Sequence, residues 1–427
     1  MTGASPLATI ERLAQERADR LALDLSGADG PERLRRLVAE AVEGWNAEHR
    51  EGRRPVALGD DVTERALRNL VGYGPLGPLL EDDDVWEIMV NAPDALFVKR
   101  HRGPDGSHDE VFHDDDHVLR VLTRILDDAP GAHRKLDPTL GLQDAQLETG
   151  ARLHIVHRDL SRGGYTMVNI RKFTGVAYRR LSDLVATGML DGAAADLLAA
   201  LARAGASVVV AGRPGAGKTT LLSCCLAELD PRARVVVAEE VFEAEVPLAN
   251  VAGMQTRGPR PDRPEIGLRR LVAAFLRMAP DVAVVGEVRD REALPLLLTL
   301  SSGVTGFTTV HAGSAAQALT RLRFVCQLAE EAANLGPATL TTLVAEAVDV
   351  VVHCTRGAAG PRVTEIVAVE DLATGDTGRF TTTPLVVRSH PDGPLEWSGL
   401  VPERLMTRVA TRGVDLAPVL RATGDPG

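Results

Sequence analysis

The sequence lacks the features that carry a chain into or across a membrane. No apolar run approaches the ~20 residues that a helix needs to span a bilayer, and the longest candidate, between Leu343 and Val352, contains Glu346 and Asp349. The first residues do not combine a basic region with an apolar one, so no secretory signal is predicted. We therefore expect a soluble cytoplasmic protein with no direct membrane insertion.

Cysteine is also scarce, and its arrangement excludes a cysteine-based metal site. The four cysteines are Cys224, Cys225, Cys326 and Cys354, and their spacing matches no zinc motif. Cys224 and Cys225 are adjacent on a predicted helix, which disfavours a disulfide between them. We expect small buried thiols in a reducing compartment.

The chain has no excess of basic residues either. Its 48 Lys and Arg residues stand against 59 Asp and Glu residues, so the net charge is −11. Non-specific nucleic-acid binding needs a basic face that neutralises phosphates. No nucleic-acid partner is therefore expected.

The 427 residues are long enough for two or three domains. Changes in pattern divide them into a helical N-terminal segment, a smaller α/β domain, a linker, a larger α/β domain and a C-terminal extension. These segments cover residues 1–59, 60–180, 181–189, 190–375 and 376–427. The apolar helix face of the first segment, from Leu34 to Trp45, suits packing on its own chain, in a small bundle, or on a partner.

The larger domain alternates strands with helices. Apolar, mostly valine-rich runs occur at 207–211, 234–238, 282–285, 307–310 and 349–353. Continuous runs of this kind are typical of central parallel strands that are covered on both faces. The pattern predicts a doubly wound, P-loop (RecA-like) α/β domain.

A glycine-rich segment between the first of these strands and a helix predicts nucleotide binding. It fits the pattern G-x-x-x-x-G-K-[ST] in the strand–loop–helix context that this motif requires. Glycines let backbone N–H groups surround phosphate oxygens at a helix N-terminus. We expect Lys218 to reach the β- and γ-phosphates of ATP and the Thr219 hydroxyl to bind Mg²⁺. The predicted nucleotide-binding residues are Gly212, Pro214, Gly215, Ala216, Gly217, Lys218, Thr219 and Thr220.

Three further groups of polar residues follow buried strands, where α/β sheets place their ligands. Glu287, after the run 282–285, is a candidate to position the attacking water, with Arg289 beside it. Glu240 and Glu243 follow the run 234–238 and suit a Mg²⁺ site or a solvated loop. His311 is a candidate phosphate sensor or a structural histidine.

These four blocks, in this order, resemble the type II/type IV secretion ATPases, and within them the CpaF-like ATPases of the Tad/Flp pilus type. The blocks match the family's phosphate loop (212–219), "Asp box" (239–243), Walker B segment (281–289) and "His box" (309–312). The segments 72–80 and 87–91 resemble the family's opening signature, and Arg152 and Arg171 fall in segments that resemble its two arginine motifs.

The resemblance implies a ring, usually a hexamer, in which Arg152 and Arg171 reach the nucleotide phosphates. It implies an ATP-hydrolysing motor for pilus assembly or secretion, recruited by inner-membrane platform proteins to the cytoplasmic face. The chain departs from the family pattern at Glu240, Val304 and Gly313. The alternatives are a nucleotide-gated scaffold with little hydrolysis and a DNA-transfer ATPase of the conjugation type.

Overall fold

The computed structural model describes residues 5–25, 29–100, 103–128, 136–147, 150–172, 178–257, 264–332, 334–357, 360–370, 379–390 and 393–422. The chain divides into two compact units, Met1–Thr174 and Gly175–Gly427. The helices of the first unit are α1 (Pro6–Arg20), α2 (Gly30–Arg50), α3 (Asp61–Val71), α4 (Leu76–Glu81) and α5 (Asp115–Asp128). Its strands are β1 (Val85–Ala92), β2 (Ala95–Arg100), β3 (Gly106–Ser107), β4 (Leu142–Gln146), β5 (Arg152–Val156) and β6 (Met167–Arg171).

The N-terminal helices pack on their own chain. Helix α1 begins after Ser5, whose side chain accepts a hydrogen bond from the N–H of Ala8. Leu34, Val38 and Trp45 of α2 are buried in one cluster with residues of α1 and α3. The apolar face predicted from the sequence is therefore covered by α1 and α3.

The strands of the first unit form an antiparallel sheet in the order β3-β2-β1-β6-β5-β4. Alternate residues such as Leu153 and Ile155 on β5 are buried against α5, and the residues between them face away from that core. Arg152 and Arg171 lie directly opposite each other in the β5–β6 register.

The second unit contains the remaining elements. Its helices are α6 (Leu181–Ala186), α7 (Gly192–Arg203), α8 (Lys218–Leu226), α9 (Leu268–Val272), α10 (Ala293–Ser301), α11 (Ala315–Gln327), α12 (Pro337–Ala347), α13 (Glu403–Ala410) and α14 (Ala417–Ala422). Its strands are β7 (Val208–Gly212), β8 (Val235–Glu239), β9 (Val251–Gln255), β10 (Val282–Val288), β11 (Thr305–Val310), β12 (Val350–Gly357), β13 (Gly360–Val369), β14 (Thr382–Arg388) and β15 (Leu395–Trp397).

These strands form one sheet in the order β15-β14-β13-β12-β7-β11-β10-β8-β9. The pairs from β12 to β9 are parallel, and those from β12 to β15 are antiparallel. Hydrophobic clusters cover both faces of the sheet, which explains the continuous valine runs. The predicted α/β fold, with its smaller N-terminal domain and N-terminal helices, is confirmed.

Two segments are more ordered than their sequence suggests. Residues 181–189, predicted as a linker, contain α6, and Leu181 and Leu184 are buried in the core of the second unit. Much of the predicted C-terminal extension, 376–427, forms β14, β15, α13 and α14. Among the described residues, no helix is long and apolar enough to span a bilayer.

A buried carboxylate ties the C-terminal region to the start of β7. Asp349 accepts a hydrogen bond from the backbone N–H of Ser207 at 2.7 Å and another from Nη1 of Arg408, on α13, at 2.6 Å. Burial raises the pKa of Asp349, while Arg408, Ser207 and Arg404 act to lower it. This Asp–Arg pair therefore connects α13 to the end of the sheet at which the parallel strands begin.

Candidate active site

The glycine-rich loop leaves the buried end of β7 and enters α8. Gly217 has a φ of +82°, in the left-handed region where glycine has no steric penalty, and it directly precedes Lys218. A Cβ at Gly212 would lie 2.4 Å from the carbonyl oxygen of Cys354 on the neighbouring strand β12. The loop therefore needs glycine at both positions, once for its backbone angle and once for close packing.

This loop brings together all the residues predicted to bind nucleotide. Thr219 and Thr220 are half-buried in the first turn of α8, and Lys218 is buried. The helix is nine residues long and contributes backbone N–H groups and a partial positive charge at this end. The arrangement suits a phosphate chain laid across the loop.

His311 connects the loop lysine to the predicted catalytic carboxylate. Its Nδ1 lies 3.3 Å from Nζ of Lys218 and also 3.3 Å from the carbonyl oxygen of Gly212. Its Nε2 lies 2.6 Å from Oε1 of Glu287. The two contacts of Nδ1 need opposite states of that atom: Lys218 only donates and needs an unprotonated Nδ1, whereas the carbonyl of Gly212 only accepts and needs a protonated one. In either state Nε2 carries the proton that it donates to Glu287.

Arg289 holds the same carboxylate from the other side. Its Nε donates to Oε1 of Glu287 at 2.7 Å and its Nη2 donates to Oε2 at 2.8 Å. Its Nη1 donates to Oε2 of Glu240 at 3.0 Å. One polar network thus joins the four motifs. We call it the five-residue network, and its members are Lys218, His311, Glu287, Arg289 and Glu240.

The network sets the charge state of its carboxylate. Burial by itself raises the pKa of Glu287, but hydrogen bonds from His311 and Arg289 outweigh burial and hold that pKa well below its usual range. The bond to Glu287 also raises the pKa of Arg289 above its ordinary value. In this arrangement Glu287 is ionised, yet both of its oxygens are engaged, so it is a weak base.

A local irregularity in the sheet directs Glu287 into the site. The β10–β11 register passes from Val285 opposite Thr308 to Val288 opposite Val310, so two residues of β10 stand against one of β11. The hydroxyl of Thr309 donates to the carbonyl oxygen of Gly286 at 2.8 Å, which satisfies the backbone at this point. Such bulges re-aim side chains next to functional sites.

Two glutamates that the sequence interpretation did not select shape the surrounding loops. Glu239 is buried at the end of β8, and its Oε1 accepts from the N–H groups of Glu243 and Ala244 at 3.1 and 2.9 Å. Oε1 of Glu292 accepts from the N–H of Arg289 at 2.5 Å. The clue in the sequence was position: Glu239 ends a buried strand, and Glu292 follows Arg289 by three residues.

The acidic residues allow a magnesium ion but do not form a cage for one. Among the described residues, no group of three or more His, Cys, Asp or Glu side chains is arranged to hold a metal. Glu240 is paired with Arg289, and Glu243 is half-buried beside it. This suits Mg²⁺ held mainly by phosphates, water and the Thr219 hydroxyl, because Mg²⁺ usually retains several waters.

The two arginines predicted to reach the phosphates belong to the first unit. Arg152 and Arg171 are half-buried and lie directly opposite each other on β5 and β6. On the neighbouring strand β1, the residue opposite Arg171 is Glu87. Like charges directly opposite each other destabilise a sheet. The role of both arginines at the nucleotide stays a prediction.

Comparison with known proteins extends over most of both units. The family model described as type II/IV secretion system protein matches residues 69–387. A Mycobacterium tuberculosis protein with a provisional conjugal-transfer name is 34% identical over 331 residues, which are 74% of this chain and 91% of that protein. The type IV secretion system protein PtlH of Bordetella pertussis is 31% identical over 306 residues, 66% of this chain and 89% of PtlH. The solved structure of the VirB11 ATPase from the Brucella suis type IV secretion system is 25% identical with a TM-score of 0.36, covering 68% of this chain and 94% of that chain.

Proposed function

The chain belongs to the type II/IV secretion system protein family and is a P-loop ATPase of a secretion or conjugation system, and from that membership we propose that it powers a conjugation-type transfer machine. The relatives described above are named for conjugal transfer and type IV secretion. The narrower CpaF-like pilus assignment rests on the motif resemblance alone and stays a prediction.

The five-residue network is the observation that supports the proposal of an active hydrolase. Residues separated by up to 93 positions in the chain, Lys218 and His311, meet within hydrogen-bond distance. Glu287 lies next to His311 and therefore near the loop that would hold the phosphates. A carboxylate in that place can orient and deprotonate a water once a nucleotide is bound.

The resting geometry indicates which contact must open first. Because both oxygens of Glu287 accept from Arg289, the carboxylate is a poor acceptor for a proton from water until that pairing weakens. An incoming phosphate competes for Lys218 and Arg289 through its negative charge. We infer that nucleotide binding releases Glu287, which couples occupancy of the loop to the basicity of the catalytic group.

The remaining parts of the proposal concern the ring and its cofactor. Arg152 and Arg171 would contribute charge to the transferred phosphate, in a homo-oligomer that we expect to be a hexamer. Thr219, with Glu240 through water, would hold Mg²⁺, which neutralises charge on the phosphates when it is bound. Inner-membrane platform proteins of the machine would recruit the ring to the cytoplasmic face.

A nucleotide-gated scaffold with little hydrolysis is the second candidate. The observation that favours it is the clamp on Glu287, since a carboxylate that stays bonded to Arg289 is a weak base. The two candidates differ in whether that clamp opens with ATP.

The test is steady-state ATPase activity of the full chain as a function of protein concentration, with Glu287→Gln as the matched variant. We expect cooperative activity in the wild type, loss of turnover by roughly 10²–10⁴-fold in the variant, and ATP binding in both. ATP binding without turnover at any wild-type concentration would support the scaffold. Salt-sensitive DNA binding, measured alongside, would revise the expectation of no direct nucleic-acid contact.

A further inference from the structure

The hairpin formed by β12 and β13 lies against the nucleotide loop, on the side of β7 that is away from β11. Cys354 of β12 pairs with Gly212 at the end of β7, and β12 then continues to Gly357, past the point where β7 ends. Nη1 of Arg356 donates to the carbonyl oxygen of Gly215 in the loop at 3.3 Å. Pro361, which pairs with Arg356 across the hairpin, would contact a Cβ placed on Gly217 at 3.0 Å.

The sheet order separates this side from the catalytic side. Strand β7 lies between β12 and β11, and the strands beyond β11 are β10 and β8. Glu287 lies near the end of β10, and His311 and Glu240 directly follow β11 and β8, so all three lie on one side of the loop. The hairpin side presents an exposed guanidinium and a half-buried proline instead.

This asymmetry orients a nucleotide on the loop. The reacting end of a triphosphate has to face Glu287 and Lys218, so the nucleoside end extends toward β12 and β13. An arginine there can stack on the flat face of a base and hydrogen-bond a ribose, and a proline ring offers apolar contact. Both groups lie on the side of the loop away from Glu287, so they are not placed for the hydrolytic step itself.

We propose that Arg356, with Pro361, forms the wall of the nucleotide site that binds the base and ribose. The inference rests on the proposed ATPase function and adds residues that the sequence motifs did not include. Arg356 acts on recognition of the nucleoside, while its bond to Gly215 keeps the wall in register with the loop.

The experiment compares ATP with inorganic tripolyphosphate, which has the same phosphate chain but no nucleoside. Calorimetric titrations would use the wild type, Arg356→Ala, Arg356→Lys and Arg277→Ala, an exposed arginine on the same unit, in a 3₁₀ turn, that donates to the carbonyl of Ala273. We expect Arg356→Ala to weaken ATP about tenfold, to leave tripolyphosphate within twofold, and to be partly rescued by lysine. Arg277→Ala should change neither affinity.

Two results would overturn this assignment. Unchanged ATP affinity in Arg356→Ala would remove the residue from the site. Equal weakening of ATP and tripolyphosphate would mean that Arg356 only supports the loop. A wild-type protein that binds neither ligand would instead refute the proposed function, and this inference with it.

Discussion

The arginines of the two units have different neighbours. In the second unit, Arg289 is already bonded to two carboxylates, Glu287 and Glu240. In the first unit, Arg152 and Arg171 stand directly opposite each other on neighbouring strands. The first arrangement commits one arginine to two carboxylates, whereas the second sets two arginines side by side on neighbouring strands. The arginines of the two units are therefore expected to have different functions, although their charges are equal.

The largest effect should come from the facing pair. If Arg171 stabilises the transition state, Arg171→Ala should slow turnover by roughly 10³-fold while ATP affinity changes little. Single-turnover kinetics and nucleotide titration separate the two quantities. Arg158→Ala, at an exposed position in the same unit, is the control. Equal losses in affinity and turnover would assign Arg171 to ground-state binding instead.

A fourth arginine, Arg408, is paired with the buried Asp349 and should affect only stability. Arg408→Ala leaves a buried carboxylate without its closest cation, which costs about 3 kcal/mol of unfolding free energy. Scanning calorimetry would show this as a lower transition temperature of the second unit. Thr407→Ala, on the same helix and exposed, should leave the transition unchanged. A stable Arg408→Ala protein would mean that Arg404, 3.7 Å from Asp349, suffices.

Arg289→Ala should move the pH profile of activity. In the wild type, burial raises the pKa of Glu287 and the bonds from His311 and Arg289 lower it by more. Without Arg289 that pKa rises, so activity that needs ionised Glu287 is lost at a higher pH. The acid limb of kcat/KM, which reports the free enzyme in which Arg289 holds Glu287, should shift upward by about one pH unit. An unmoved acid limb would show that Glu287 ionisation does not limit turnover.

The smallest effect should come from Glu292, which acts through the backbone of Arg289. Glu292→Ala removes the acceptor for the N–H groups of Arg289 and Asp290. We expect roughly a fivefold loss of turnover, with partial recovery in Glu292→Gln, which keeps an acceptor oxygen. An unchanged rate in Glu292→Ala would mean that Arg289 needs no such support.

The sequence was sufficient for the parts of the molecule that depend on local pattern. Valine runs predicted β7, β8 and β10 because strands covered on both faces leave an unbroken apolar signature. The glycine loop was recognisable because its backbone angles demand glycine at fixed spacing.

The contacts of the site could not be predicted in the same way. The bond between His311 and Glu287 depends on which strands are neighbours and on the bulge after Val285, and neither leaves a mark in residue type. Helix α6 escaped notice because six residues are too few for a helical period. Strand β14 contains Pro384 and two consecutive buried residues, and β15 has only three residues, which weakens the alternation of both strands.

The clasp between Ser207, Asp349 and Arg408 also sets an order of events during synthesis. A ribosome releases β7 and the nucleotide loop long before it reaches Arg408. The hydrogen bonds that link the start of β7 to α13 through Asp349 can therefore form only after α13 has emerged. A chain that stops short of α13 would hold Asp349 in the core without the arginine that balances it. Such truncated products are expected to be less stable than the full chain.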